Sequence, residues 1–219
     1  RGNSKRTLQV LVNTLKHYFN HLVEEGDLTA NPAERILIKG ARRRVIHDIL
    51  EIEELEEIYH NYKNKGLAGK RNKIILGLII YQAVSTGALG RMEVEHVKLR
   101  EGQIYVPGSR RSNSRELQLQ AHQVIDIMDY INETRKSILA LTGKESSKLF
   151  ISLGEADQFR SIADKLTRTL RKQDSRVKDM KQLRVSVIVH WLKHYNLRKV
   201  QYLAGHRYIS STEKYQANN

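Results

Sequence analysis

The stretch LAGHRYISSTEKY, residues 203–215, carries a histidine and a tyrosine, His206 and Tyr215, on either side of a predicted break in helical structure. Gly205 predicts the end of one helix, because glycine enters the left-handed conformation without the steric penalty that other residues meet. Ser210 followed by Glu213 matches the capping-box pattern of a helix start. This arrangement would place the phenol of Tyr215 beside the imidazole of His206.

The chain as a whole is strongly basic and contains no cysteine. Its 219 residues include 38 Lys and Arg against 24 Asp and Glu, which gives a formal net charge of +14. Such a charge favours a polyanionic partner, and two runs concentrate it: RILIKGARRRV at 35–45 and GSRRSNSR at 108–115. The lack of cysteine excludes disulfides and thiolate zinc sites and fits a reducing compartment. The longest apolar run, IILGLIIYQAV, is too short to span a bilayer, and the basic runs do not lie on one face of a long amphipathic helix, so no membrane association is predicted.

Periodic patterns predict a mainly α fold with a small antiparallel β-sheet, an α+β class. Apolar residues at helical spacing predict a helix over 8–22, which Gly26 ends. Asp48 is expected to cap a second helix, and residues 71–84 are expected to form a buried one. GQIYVPG and RELQLQ alternate apolar and polar residues around a polar turn, which is typical of a β-hairpin. KLFISL, at 148–153, is a candidate for one more strand.

Three stretches occur in the order found in one enzyme family: the basic hairpin, MKQLRVSVIVHW at 180–191, and LAGHRYISSTEKY. Together they resemble the catalytic domain of tyrosine recombinases, the integrase family that cuts and rejoins DNA. The last stretch matches the family's Leu-Gly-His…Tyr box, with Ala204 in place of the leucine. KQLR matches the His-x-x-Arg box at Arg184, with Lys181 at the histidine position.

The resemblance also implies how the chain is divided. YFNHLVEEGDLTANPAERI, at 18–36, resembles the end of the family's helical core-binding domain, and DILEIEELEEIY resembles the opening helix of its catalytic domain. We therefore expect the C-terminal part of a DNA-binding, core-binding domain at 1–38, a basic linker at 39–47 and a catalytic domain at 48–219.

The resemblance implies a covalent reaction that needs neither metal nor cofactor. A phenol with a pKa of about 10 is a poor nucleophile until its proton is removed or shared, and its attack on a phosphodiester gives a phosphotyrosine. Tyr215 is the implied nucleophile and Arg184 the guanidinium that holds two phosphate oxygens. His206 would donate to the phosphate or orient the phenol, and Lys181 would donate a hydrogen bond in the role of the family's histidine.

Two positions depart from the family pattern. A gapless register from Gly108 back through the preceding helix puts Ser85 where the family's Thr-Gly-x-Arg box has its first arginine. The alternative for that role is Arg91, which follows Thr86 and Gly87. Some integrases of conjugative elements resemble this sequence in lacking the first arginine.

The hairpin is the second departure, because it lacks the family's lysine and offers Arg110 or Arg111 instead. Arginine is a poor proton donor, so Arg110 would stabilise charge in the site, unless these residues are simple phosphate contacts outside it. The arginines expected to contact DNA are Arg42, Arg43, Arg44, Arg91, Arg111 and Arg115.

The sequence thus predicts a site-specific recombinase that cleaves double-stranded DNA through a 3′-phosphotyrosyl intermediate. The expected assembly is a homo-tetramer on DNA, and the expected location is the cytoplasm, at the nucleoid, in a bacterium, phage or mobile element. The main alternative is a recombinase-fold DNA-binding protein with impaired catalysis. A type IB topoisomerase-like relaxase and an RNA-binding helical protein are more remote alternatives.

Overall fold

A computed structural model describes residues 2–40, 48–155 and 158–216. The chain divides into two compact units, Arg1–Val45 and Ile46–Asn219, and the division lies inside the expected linker. The linker arginines Arg42, Arg43 and Arg44 lie outside the described residues. The predicted fold class is confirmed, because the described residues form many helices and one three-stranded antiparallel sheet.

The N-terminal unit consists of one long helix and a short return segment. Helix α1, Lys5–Glu24, begins at Ser4, whose hydroxyl caps the first turn, and it ends just before Gly26, where φ is +85°. The side chain of Asn31 ties the return segment to α1 by donating to a carbonyl in the middle of the helix at 2.9 Å. It also accepts from the amide of Ala33 at 2.8 Å, and Ala33 is buried.

The second unit carries the sheet and most of the helices. Its described helices are α2 (Ile52–Asn61), α3 (Gly66–Ile80), α4 (Thr86–Leu89), α5 (Ala121–Asp129), α6 (Arg135–Thr142), α7 (Phe159–Gln173), α8 (Met180–His194), α9 (Leu197–Ala204) and α10 (Ser210–Glu213). A π-helical turn, Tyr130–Thr134, joins α5 to α6, and 3-10 turns occupy Val94–His96 and Leu99–Glu101. No helix in the described part of the chain is both long and apolar enough to cross a membrane.

Helices α3 and α8 form the centre of the hydrophobic core, and they pack against each other. Every residue of α3 from Ile74 to Ile80 is buried, as are residues on several sides of α8. A helix that is apolar on all sides must lie inside the protein. Each fully buried Leu or Ile side chain stabilises the fold by roughly 1.5–3 kcal/mol. This packing fixes Arg184, on α8, beside the chain that leaves α3.

The sheet is antiparallel, with strand order β1-β2-β3, and β2 and β3 form the predicted hairpin. The strands are β1 (Val97–Lys98), β2 (Gln103–Val106) and β3 (Arg115–Gln118). Ile104 pairs with Leu117 and Val106 pairs with Arg115, and all four side chains are buried. Because side chains alternate along a strand, Arg115 faces the core side of the hairpin together with Leu117.

Two local predictions were wrong. Helix α2 does not begin at Asp48, because Glu51 and Glu54 form a reciprocal capping box further along the chain. KLFISL forms no strand, although Leu149, Phe150 and Ile151 are buried. Its Lys148 makes only an isolated bridge with Glu93.

Candidate active site

The break after α9 brings the C-terminal histidine and tyrosine together. Gly205 ends α9 with φ at +67°, and the chain then turns so that the His206 amide donates to the Gln201 carbonyl at 3.0 Å. The rings of His206 and Tyr215 stack with centroids 5.9 Å apart and planes inclined by 26°. Both residues are buried. This is the neighbourhood that the opening stretch predicts.

The local route to Tyr215 differs from the predicted capping box. Helix α10 is a single turn, with Ile209 rather than Ser210 at the cap position and no side-chain cap. Tyr215 follows that turn, and its amide donates to the Thr212 carbonyl at 2.9 Å. The hydroxyl of Thr212 lies 2.8 Å from Nδ1 of His206. Thr212 was not among the residues that the sequence predicted for the site.

Arg184 links the C-terminal turn to the core. Its Nε donates to the Ala83 carbonyl at 2.7 Å, and its Nη2 donates to the Ala204 carbonyl at 2.7 Å. Nη2 also lies 3.5 Å from Nε2 of His206. Burial lowers the pKa of Arg184, and the nearby phenol of Tyr215 opposes that change. The guanidinium, the imidazole and the phenol therefore form one cluster.

His206 is neutral in this setting. Burial, followed by the charges of Arg184 and Lys214, lowers the pKa of His206 to about 3. Since the guanidinium of Arg184 can only donate, Nε2 is the acceptor, and Nδ1 then donates to the Thr212 hydroxyl. The tautomer assigned in this way leaves an acceptor nitrogen on the side of the ring that faces Arg184.

Ser85, which the gapless register predicts in place of the family's first arginine, lines a cavity together with Arg184. Ser85 caps α4, and its hydroxyl accepts from the Ala88 amide at 3.2 Å. Ala83, two residues earlier, is the one non-glycine residue with positive φ in the described part of the chain, at +47°. In the gapless register Ala83 takes the place of the box glycine, and its left-handed backbone supports that register.

A cavity of about 730 Å³ opens between α4, α7 and the first turn of α8. Ser85, Lys181 and Arg184 all line it, so the fold brings these three predicted positions to one place. Lys181 is exposed there. Two further cationic residues and two acidic ones share the lining: Arg91, Arg160, Asp164 and Asp179. Cationic side chains thus outnumber carboxylates around the cavity.

Arg91 is held by backbone carbonyls at the edge of this region. Its Nη1 donates to the Gly87 carbonyl at 2.7 Å, and its Nη2 donates to the Pro107 carbonyl at 3.4 Å. Its Nε is buried without a hydrogen-bond partner among the described residues. Arg91 therefore connects α4 to the start of the hairpin turn.

The tip of the hairpin is docked on the turn that carries His206. Ser112 forms a backbone bridge with His206, and the Asn113 amide donates to the Gly205 carbonyl at 3.1 Å. The guanidinium of Arg207 donates to the carbonyl of Arg110 at 3.1 Å. The side chains of Arg110 and Arg111 are exposed at this tip. The hairpin arginines are thereby held at the edge of the cluster.

Arg115 was predicted to contact DNA from the surface, but its side chain is buried. It is only 4% exposed, and its Nε donates to the Leu203 carbonyl at 2.7 Å. Burial and the neighbouring charge of Arg184 lower the pKa of Arg115 to about 10. The signal that could have found this was the alternation in RELQ, which puts Arg115 on the same face as Leu117.

The comparisons with known proteins agree with this geometry. Residues 48–219 match the phage integrase family, a span that includes the whole cluster. The chain belongs to the phage integrase family. Among relatives, the tyrosine recombinase XerC of Escherichia coli K12 is 26% identical to this phage integrase family member, over 98% of this chain and 70% of XerC.

Solved structures of low identity share the fold. The crystal structure of XerA recombinase superposes with a TM-score of 0.63 at 19% identity, over 97% of this chain and 71% of XerA. The Tn1549 transposon integrase in complex with transposon right end DNA gives a TM-score of 0.74 at 13% identity, over 98% of this chain and 76% of that one. XerH bound to a palindromic difH substrate gives 0.68 at 16% identity, over 84% and 55%.

Proposed function

We propose that this member of the phage integrase family is a site-specific DNA recombinase that cleaves and rejoins duplex DNA through Tyr215. The observation that carries the proposal is the cluster itself. Arg184 hydrogen-bonds the turn that bears His206, and the His206 ring stacks on Tyr215. A nucleophile, a ring that orients it and a fixed cation nearby favour attack on a phosphodiester.

The reaction proceeds by exchange of one ester for another. The Tyr215 oxygen attacks the scissile phosphorus and loses its proton, the bond to the 5′-oxygen breaks, and that oxygen takes up a proton. The product is a 3′-phosphotyrosine that keeps a phosphoester bond, so rejoining reverses the same steps without ATP. No cofactor or metal takes part in this scheme.

Each residue near the cluster has a role that its chemistry supports. Arg184 makes no hydrogen bond through Nη1 within the described residues, and it offers this nitrogen to the phosphate oxygens on which negative charge grows. His206 stacks on Tyr215 and orients the phenol. Lys181 donates to the phosphate from the first turn of α8, and Arg110 stabilises charge from the hairpin tip. Arginine at the tip is a poor proton donor, so Lys181 is the better candidate for protonating the leaving oxygen.

Double-stranded DNA is the partner that the charge of the chain favours. The net charge of +14 supports sequence-independent contacts to phosphates, for which Arg42, Arg43, Arg44, Arg91 and Arg111 are the candidates. Exchange of both strands between two duplexes cuts four strands, each with its own Tyr215, so we propose a homo-tetramer on DNA. We propose that the protein acts in the cytoplasm, at the nucleoid. Its gene would belong to a bacterium, a phage or a mobile element.

A nicked suicide substrate, from which the cut strand diffuses away, tests the proposal by trapping the covalent intermediate. Wild-type protein should form a covalent protein–DNA adduct, and Tyr215→Phe should form none. Tyr208→Phe is the matched control, because Tyr208 is a neighbouring tyrosine that is 64% exposed. Tight, salt-sensitive DNA binding by the wild type without any adduct would instead identify a catalytically impaired binding protein.

A further inference from the structure

Arg115 is a buried cation whose hydrogen bonds are incomplete. Only 4% of the residue is exposed, and no acidic side chain pairs with it in the described part of the chain. Its Nε has one acceptor, the Leu203 carbonyl, whereas its Nη2 is buried and has no partner among the described residues. Burying an unpaired charge is costly, so an arginine used only for packing would be a poor choice at this position.

The guanidinium lies directly against the turn that carries His206. A Cβ on Gly205 would lie 2.1 Å from Nη1 of Arg115 and 2.7 Å from its Cζ, so the glycine leaves the space that the guanidinium fills. Arg115 holds the carbonyl of Leu203, and Arg184 holds the carbonyl of the next residue. Two guanidiniums thus donate hydrogen bonds to successive carbonyls at the C-terminal end of α9, where the helix dipole favours positive charge.

Two other buried arginines, Arg71 and Arg135, are satisfied differently. Arg71 uses Nε, Nη1 and Nη2 on the Asn72 side chain and the Ile151 carbonyl. Arg135 donates to the carbonyls of Ser146 and Lys148. Arg115 instead leaves donor capacity unused beside a second cation. An anion bound at Arg184, rather than a protein carboxylate beside Arg115, would offset both charges.

We propose that Arg115 is a positioning residue for the phosphate site: it holds the His206 turn against the hairpin and adds a fixed positive charge beside Arg184. The charge of Arg115 is offset when the scissile phosphodiester binds. Arg115 thereby takes over part of the role of the family's first arginine, which Ser85 replaces here. The inference rests on the proposed function, because the phosphodiester is the anion it invokes. Arg115 itself acts from behind the turn and does not touch the DNA.

The test compares suicide-substrate cleavage with a normal scissile phosphate and with a methylphosphonate, which carries no negative charge. Arg115→Met should cleave the phosphate substrate about 100-fold more slowly than wild type, a loss typical of removing one electrostatic contributor. On the methylphosphonate the loss should be about 10-fold or less, since there is less charge to stabilise. Adding Ser85→Arg to Arg115→Met should restore cleavage of the phosphate substrate.

Two control variants distinguish the loss of this charge from a general loss of folding. Arg135→Met removes another buried arginine outside the cluster and should lower cleavage of both substrates equally or not at all. If Arg115→Met does not fold, Arg115→Lys keeps the buried charge, and it should retain the substrate preference of the wild type while cleaving more slowly. Equal losses by Arg115→Met on both substrates, a changed substrate preference in Arg115→Lys, or no rescue by Ser85→Arg would overturn the inference. Absence of any wild-type adduct would count against the proposed function instead.

Discussion

Replacing Gly205 with alanine should destabilise the protein in two separable ways. Its φ of +67° is left-handed, which costs a residue with a side chain about 1 kcal/mol. The new Cβ would also lie 2.1 Å from Nη1 of Arg115, so the guanidinium must move and give up its bond to Leu203. A buried donor that loses its acceptor costs about 1–3 kcal/mol. We expect a total loss of about 2–4 kcal/mol in the free energy of unfolding.

Gly143→Ala is the matched control for this substitution. Gly143 also follows a helix with positive φ, at +63°, but nothing lies within 4 Å of the Cβ that alanine would add. It should therefore lose only the conformational contribution of about 1 kcal/mol.

Urea unfolding followed by circular dichroism measures both variants under identical conditions. For a unit of this size, each kcal/mol corresponds to a change in Tm of roughly 2–4 °C, so thermal scans provide a second readout. Equal losses for Gly205→Ala and Gly143→Ala would refute the steric argument. Arg115→Ala in the Gly205→Ala background should add less than it does alone, because the two changes share one contact.

Three further predictions concern the cluster. Thr212→Val removes the partner of Nδ1 and should destabilise the protein by about 1–3 kcal/mol in urea unfolding, whereas Thr212→Ser, which keeps the hydroxyl, should restore most of that loss. Burial lowers the pKa of His206 from 6.5 to about 3, so the unfolded state binds its proton more readily, and stability should fall as the pH drops from 6.5 toward 3. For one group the free energy of unfolding changes by at most about 1.4 kcal/mol per pH unit. A His206→Gln variant should show a flatter dependence of that free energy on pH over the same range. An unchanged dependence would contradict the assignment of a neutral His206. Lys181→Ala should slow suicide-substrate cleavage about 100-fold without loss of DNA binding, whereas Lys181→His should cleave nearly as well as wild type; equal rates for all three would exclude a role in the reaction.

The elements that sequence reasoning anticipated are those with strong periodic signals. The buried helix α3 and the hairpin of β2 and β3 follow from an apolar run and from period-two alternation. Element starts were harder to place. The residue at 48 has the chemistry of a helix cap, but Glu51 and Glu54 satisfy each other's amides, and that reciprocal pairing determines where α2 begins.

The site was anticipated where spacing along the chain carries the information. His206 and Tyr215 lie on opposite sides of one turn, so a local break suffices to bring them together. The neighbours of Arg184 are non-local, because its hydrogen bonds reach the carbonyl that follows α3 and the carbonyl that ends α9. Those contacts depend on tertiary packing and have no local signature.

Arg115 shows the limit of reasoning from charge. It lies in a basic run, and such runs are usually solvated or contact an anion directly. Strand alternation outweighs composition here and turns the side chain toward the core with Leu117. Without the tertiary structure, nothing in the sequence indicates that the guanidinium fills the space beside Gly205.

The claim on which this account depends is that the phenol of Tyr215 becomes covalently joined to DNA. Mass spectrometry of the nuclease- and protease-digested suicide complex identifies the modified residue and the polarity of the linkage. We expect a single peptide that carries a nucleotide 3′-phosphate on Tyr215, and a free 5′-hydroxyl on the released strand. A nucleotide attached to any other residue, or a 5′-phosphate linkage, would contradict the mechanism.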